Sequence, residues 1–275
     1  MRRKNIRKIV TVIVLLVLLG IILTPLWWAV VLSFDREATT ALPAFSWLPH
    51  EFTTFNYEAA AKLIDLPRYY MNTLFLTVVN TVISVFFALC CGFAFAKGKF
   101  PGKKFLYIFM LAVMMVPFES RMVTLYIQYR DWGLLNTYWP LILGQFAYVY
   151  GVFFARQNIA TIPNALIESV YLDGGGVWRV FFSIILPLSK PVIATLSILQ
   201  VIAHWNSYLW PLVVIRDSSK QVISVGVALF NSTQSSVYYG PRMAVAVLSA
   251  IPLTIVFLFL QKYIVESVAV SGVKQ

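Results

Sequence analysis

Residues 69–96 read YYMNTLFLTVVNTVISVFFALCCGFAFA, 28 positions without Asp, Glu, Lys or Arg. About 20 apolar residues suffice for a helix to cross a bilayer, so this stretch is long enough to span one. Apolar runs with no Asp, Glu, Lys or Arg except at their ends (Arg156, Lys190, Arg242 and Lys262) recur at 9–34, 136–156, 190–215 and 242–262. A further run at 105–129 is interrupted by Glu119 and Arg121, and reads as a helix whose outer half is unusual. The whole chain agrees: of 275 residues, 60% are hydrophobic and 12% charged, and the mean hydropathy is +0.78. Soluble domains carry about 45–50% apolar and about 25% charged residues. Soluble enzymes, nucleic-acid modules and disordered tails are thereby excluded. The expectation is an all-α polytopic membrane protein with six transmembrane helices, forming one domain over 1–275.

Charge sets the orientation. Lys and Arg resist translocation and collect on the cytoplasmic side. With the N-terminus inside, the inner segments hold 14 Lys/Arg and the outer ones 7, while Arg121 lies within a span. Both termini and the segment 157–189 are therefore expected in the cytosol. The net charge of +11 then follows from topology, with no nucleic-acid partner. Arg2, Arg3, Lys4, Arg7 and Lys8 precede the first span as they would a signal peptide, but its apolar run is too long for one and reads as a retained anchor. Cys90 and Cys91 are adjacent within an apolar run, which gives neither a disulfide framework nor metal-ligand spacing. The outer segment 35–68, with Pro43, Pro49 and Pro67, is expected to form an ordered cap.

The inner segment at 161–187 reads TIPNALIESVYLDGGGVWRVFFSIILP. Pro163 suits a helix's first turn, where its missing N–H is not needed. Leu166, Ile167, Val170 and Tyr171 fall at helical spacing on one apolar stripe, with Glu168 elsewhere on the surface. At Asp173-Gly174-Gly175-Gly176 the helix should stop, because glycine takes the left-handed conformation that closes a helix C-terminus. Val177–Leu186 then leads through Pro187 and Pro191 into the next span. A short cytoplasmic helix with an exposed apolar stripe implies a partner that covers it.

Glu168, Leu172-Asp173-Gly174, Phe182, Ile185-Leu186-Pro187 and Pro191 together resemble the EAA loop of permease subunits in binding-protein-dependent ABC importers. Ser169-Val170 stands where that motif usually has an alanine pair. The resemblance covers most of the chain and points to carbohydrate importers of the maltose type. Tyr70-Met-Asn-Thr-Leu, the run from Gly92 to Lys104, Val116-Pro-Phe-Glu119, Gly133-Leu-Leu-Asn-Thr137, Trp205-Asn206, Leu209-Trp-Pro-Leu212, Ile251-Pro252, Gln261-Lys-Tyr263 and Gly272-Val-Lys274 occur in the family's order.

What this resemblance implies is a type I importer fold in a prokaryotic cell membrane. A second homologous permease pairs with the chain, two ATPase subunits dock on the cytoplasmic face, and an external solute-binding protein delivers the sugar. The coupling helix, between spans four and five, would sit in a groove of the ATPase and present Leu166, Glu168, Ser169, Val170, Tyr171, Asp173 and Gly174. No cofactor is expected in this chain. ATP and magnesium would be held by the partners, since Gly98-Lys-Phe-Pro-Gly102-Lys103-Lys104 has neither the spacing nor the hydroxyl of a phosphate loop.

Glu119 and Arg121 are candidates for the translocation path, because intramembrane charges favour a bundle interior or a water-filled cavity. A straight helix from Phe105 would place Glu119 roughly 21 Å along it; the alternative is an interfacial turn whose charges snorkel to outer water. Trp205, Asn206 and Tyr208 are further candidates, because sugars offer C–H faces to aromatic rings and hydroxyls to amides. Interhelical polar packing is their alternative. A permease for glycerol phosphate remains the nearest rival, and an ion-coupled secondary carrier a more distant one.

Overall fold

The computed structural model describes residues 2–233 and 239–272, with side chains at 8–62, 64–228 and 239–259. Among these residues all regular structure is helical, apart from one isolated antiparallel bridge between Asp35 and Phe52. The chain divides into two compact units, Met1–Leu66 with Gly226–Ile251 and Pro67–Val225 with Pro252–Gln275.

The first unit begins with α1 (Arg2–Ser33), whose apolar side chains from Ile9 to Leu26 are largely exposed, as a lipid-facing helix requires. The last carbonyls of any helix lack intrahelical partners. Here one buried side chain serves them: Asn56, in α2 (Phe55–Leu63), donates through Nδ2 to the carbonyls of Leu32, Ser33 and Asp35. Its Oδ1 accepts from Thr39 Oγ1 at 2.9 Å. The Asp35 carboxylate is enclosed and accepts from the backbone N–H groups of Glu37 and His50 at 3.0 Å, and from His50 Nδ1 at 2.8 Å. Arg36 N–H donates to Glu51 and Thr53 N–H to Phe34. Residues 35–56 are thus ordered, tied by their own polar groups and to the end of α1.

Burial alone would raise the Asp35 carboxyl, but the hydrogen bonds from His50 and Glu37 outweigh it and hold the group below its usual 3.8. The hydrogen bond to Asp35 raises His50 above 6.5, opposed by its partial desolvation and aided by the Glu37 and Asp35 charges. The lowered carboxyl contributes stability above its unfolded value and loses it as pH falls through the folded one. The raised imidazole contributes fully below 6.5 and loses that contribution as pH rises through its folded value. Amide protection across 34–53, exchange taken relative to its intrinsic base-catalysed rate, is therefore expected to be greatest on the acid side of neutrality and to fall towards alkaline pH. His50→Gln should flatten that alkaline limb. A wild-type protection that stays constant between about pH 5 and 9 would contradict the linkage.

The second unit begins within α3 (Leu66–Lys97), which realises the helix expected at 69–96. The run read as 105–129 is not one straight helix. It comprises α4 (Lys103–Val113) and α5 (Phe118–Asp131), bent by 97°. The residue before a proline is pushed out of helical geometry, and Pro117 itself is extended (φ −56°, ψ 143°). The segment read as a span at 136–156 also differs. It holds α6 (Trp139–Leu143), a 3₁₀ turn at Gly144–Ala147 and α7 (Val149–Ala160). Asn136 is left-handed (φ 61°), and Tyr148 is off helical geometry (ψ 79°).

Beyond it come α8 (Asn164–Leu172), α9 (Val177–Val180), a π-helical turn (Phe181–Ile185) and α10 (Leu186–Leu188). The run Val177–Leu188 meets α11 (Lys190–Trp205) at 77°, where Pro191 has no N–H to continue the ladder. The run read as 190–215 breaks again at Asn206–Tyr208 before α12 (Leu209–Val214). Last come α13 (Ile223–Thr233) and α14 (Tyr239–Gly272). Among the described residues three helices are long and apolar enough to cross a membrane singly, Lys8–Ser33, Leu66–Lys97 and Tyr239–Phe259; counting each bent pair as one crossing brings the number to five. The side chains of Gln261-Lys-Tyr263 and of the ending at Gly272-Val-Lys274 lie outside the described ones.

Helices in lipid associate through close packing and interhelical hydrogen bonds, and α3 does both. Its first half packs Leu76 with Leu141, Val214, Ile215, Val222 and Val225. Asn72 Nδ2 donates to the carbonyls of Ser219 and Gln221, and Thr73 Oγ1 accepts from Ile223 N–H. Its second half packs Val85 and Leu89 against Ala155, Ile159, Phe181, Ile185 and Leu196. Asn136 fastens two loops together: its N–H donates to the Val214 carbonyl, and its Oδ1 accepts from the N–H groups of Arg216 and Asp217.

Candidate functional site

The glycine-rich stop closes α8 by a fully formed Schellman motif. Gly174 has φ +76°, its N–H donates to the Tyr171 carbonyl at 3.0 Å, and Gly175 N–H donates to Val170 at 2.8 Å. These are the two bonds that recover orphan carbonyls at a helix end. The three glycines are not equivalent. Gly174 needs its left-handed backbone; a Cβ on Gly175 would stand 2.6 Å from Val170 Cγ1 and 2.8 Å from Val170 O; Gly176 is extended and faces open space.

The expected apolar stripe is divided. Ile167 is buried in the core and Val170 packs against it, so both hold α8 to the protein. Leu166, Tyr171 and Leu172 project outwards, Leu172 with 88% of its surface exposed. Glu168, Ser169 and Asp173 are exposed with them, and Ser169 Oγ bonds back to the Leu166 carbonyl. The outer surface of α8 therefore combines large apolar side chains with two carboxylates, on a helix whose other side is anchored.

Sequence reasoning missed the residue that ties α8 to a span. Lys97 donates from Nζ to the Ile162 carbonyl at 2.6 Å, to Asn164 Oδ1 at 2.8 Å and to the Ala160 carbonyl at 3.3 Å. It joins the end of α3 to the end of α7 and the first residue of α8. From the sequence it is one more inner-face lysine, because its partners lie more than 60 residues away.

The path candidates are scattered. Glu119 and Arg121 are exposed in the first turn of α5, with the Arg121 guanidinium 5.9 Å from the Phe118 ring centroid. The bend before Phe118 removes the straight-helix depth expected for them. Trp205 is buried, its ring edge-on to Tyr70 at 5.4 Å. Asn206 and Tyr208 lie exposed in the break between α11 and α12, with Asn206 Nδ2 bonded to the Ile202 carbonyl. The protein brings Trp205, Asn206 and Tyr208 to one helix break and does not join them to Glu119 or Arg121 through a hydrogen bond or ion pair among the described residues.

Residues 84–270 match the family described as binding-protein-dependent transport system inner membrane component. The diacetylchitobiose uptake system permease protein NgcG of Streptomyces coelicolor is 30% identical over 90% of this chain and 83% of its own length. The arabinooligosaccharides transport system permease protein AraQ of Halalkalibacterium halodurans is 34% identical over 74% of this chain and 72% of its own. The sn-glycerol-3-phosphate transport system permease protein UgpE of Brucella abortus is 29% identical over 92% and 93%. In three dimensions the chain is similar to one from a bacterial ABC transporter involved in the import of the acidic polysaccharide alginate. The TM-score is 0.83 at 24% identity, over 96% of this chain and 98% of that one, which supports the fold.

Proposed function

The chain belongs to the family of binding-protein-dependent transport system inner membrane components, and from that premise we propose that it passes a sugar or oligosaccharide inwards, driven by ATP hydrolysis in partner subunits. The observation that carries this reading is the family match over 84–270, which spans the whole glycine-closed loop, together with two sugar-system permeases among its relatives. It is not itself an enzyme: ATP and magnesium belong to two ATPase subunits on the cytoplasmic face. A second homologous permease completes the channel, and an external solute-binding protein supplies the sugar. Six spans form one permease domain with both termini in the cytosol, the bent and broken helices each counting as one crossing.

In this reading α8 is the coupling helix. Leu166, Tyr171, Glu168, Ser169, Asp173 and Gly174 meet the ATPase, while Val170 and Ile167 transmit its movement to the core. Glu119, Arg121, Asn206 and Tyr208 line the path, and Trp205 supports the α11 break from within. If Glu119 contacts solute, Glu119→Gln will alter uptake of one sugar relative to another with assembly intact; unchanged kinetics for every transported sugar would exclude it.

The likeness to the glycerol-phosphate permease favours a second reading, import of that phosphorylated solute. Purification of the complex through a tag on this chain tests the class: an ATPase and a second permease are expected to accompany it. Vesicles of that complex should take up labelled oligosaccharide in an ATP-dependent manner. Recovery of the chain without an ATPase, or uptake driven by an ion gradient alone, would overturn the proposal, and ATP-driven uptake of glycerol phosphate alone would select the second reading.

A further inference from the structure

The stretch 42–49 reads LPAFSWLP, and it folds back along the helix it follows. Trp47 and Leu48 stand over Gly20, Leu23, Thr24 and Trp27 of α1, across an open groove of about 490 Å³. The indole of Trp27 donates from Nε1 to the Trp47 carbonyl at 3.0 Å. Phe45 packs edge-on against Trp28 and Trp47, with ring centroids 5.6 and 5.1 Å apart. These contacts fix the tip of the loop, yet its apolar side chains face outwards: Trp47 is 61% exposed and Leu48 69%.

The depth of that tip is set by α1, whose Lys8–Ser33 stretch is long and apolar enough to cross a membrane. From Lys8 to Asp35 is about 40 Å at about 1.5 Å per residue, and the hydrocarbon layer is about 30 Å thick, so a layer centred between those charges ends about 5 Å short of Asp35. Trp27 lies about 12 Å before Asp35 and Gly20 about 22 Å, both inside the layer, and Trp47 and Leu48 are held at their level. Backbone at that depth has no water to bond, so the protein must meet its polar groups. The Ser46 hydroxyl accepts from Leu48 N–H at 3.2 Å and donates to the Leu48 carbonyl at 2.6 Å, while the Trp47 carbonyl has the Trp27 indole. Pro43 and Pro49 bring no N–H. Thr24 donates its hydroxyl to the Gly20 carbonyl, and no charged residue lines the groove. The charged residues after the tip turn back to the end of α1: His50 meets Asp35, with Glu37 3.9 Å away, and the Glu51 carbonyl accepts from Arg36 N–H. We propose that residues 45–48 insert into the leaflet that the end of α1 crosses, with Trp47 and Leu48 against acyl chains and the Trp27–Trp47 bond holding them there. The insertion needs only that α1 span a membrane, and is independent of what the protein transports.

A nitroxide on Leu48→Cys tests this through its collisions with oxygen, which concentrates in lipid, and with a water-soluble nickel chelate. The purified complex, with Cys90 and Cys91 replaced by alanine, would be placed in vesicles of phosphatidylethanolamine and phosphatidylglycerol. Oxygen collisions should dominate at Leu48→Cys, with nickel collisions falling to a small residual rate, and the order should reverse at Glu51→Cys, an exposed position beyond the tip. Trp47→Cys repeats the measurement should Leu48→Cys fail to assemble. Trp27→Phe leaves the Trp47 carbonyl unpaired and should raise the residual nickel rate at Leu48→Cys roughly fivefold or more. Nickel collisions at Leu48→Cys as frequent as at Glu51→Cys would put the tip in water and overturn the proposal. Shielding from both reagents would overturn it too, since a protein partner would then cover the tip. A nickel rate unchanged by Trp27→Phe would overturn the anchoring bond.

Discussion

Gly175→Val is expected to leave the permease in the membrane and to abolish coupled uptake. The new side chain would meet the Val170 carbonyl, which is the acceptor for Gly175's own N–H, so neither atom can withdraw without opening the helix end. Gly174→Val acts through the backbone instead, since a left-handed conformation costs a side-chain-bearing residue about 1–2 kcal/mol. At about 1.4 kcal/mol per factor of ten, that alone shifts the closed helix end by roughly tenfold. The Gly175 change should do more. Charge reversal at exposed Glu168 should act more mildly, and Gly176→Ala, at an extended position facing open space, should change little. Insertion by immunoblot, sugar uptake and ATP hydrolysed per sugar would be followed together. Normal coupled uptake in both the Gly174 and Gly175 variants would remove α8 from the coupling path.

Gly92→Val should fail earlier, at assembly of the helices. A Cβ at Gly92 would lie 2.7 Å from Ala155 Cβ and 2.9 Å from Arg156 N, so α3 and α7 cross at a separation only glycine permits. Overpacking of this kind costs roughly 1–3 kcal/mol when neighbours can shift. Here one neighbour is helix backbone, and total stabilities are only about 5–15 kcal/mol. The variant should reach low levels and melt well below the wild type in detergent, with partial recovery on adding Ala155→Gly. Gly20→Val, in α1 with nothing within 4 Å, serves as the contrast and should melt like the wild type. Equal melting of the Gly92 variant and the wild type would show that the crossing tolerates bulk.

What the sequence discloses and what it hides follow from the range of each interaction. The span expected at 69–96 is realised as Leu66–Lys97, because an uncharged apolar run is a local property. The stop after Asp173 is likewise local, set by glycine's access to positive φ. Pro117 marks a break but not its angle; the 97° bend depends on what α4 and α5 pack against. The left-handed Asn136 is invisible in periodicity, and its partners on the 214–217 segment are some 80 residues away. Lys97 is legible as an inner-face cation but not as the clamp on α8, and helical spacing places Ile167 beside Tyr171 without telling which one faces the core. Nor does glycine content separate Gly175, which is tightly enclosed, from Gly176, which is not.

The coupling assignment is tested most directly by a single cysteine at Ser169, which is exposed on the outer surface of α8. In the purified complex with Cys90 and Cys91 replaced by alanine, a short thiol-directed crosslinker on Ser169→Cys should join this chain to an ATPase subunit, with a yield that changes when ATP is bound. Labelling of that cysteine by lipid-phase reagents, with no link to any ATPase subunit in either nucleotide state, would contradict the account.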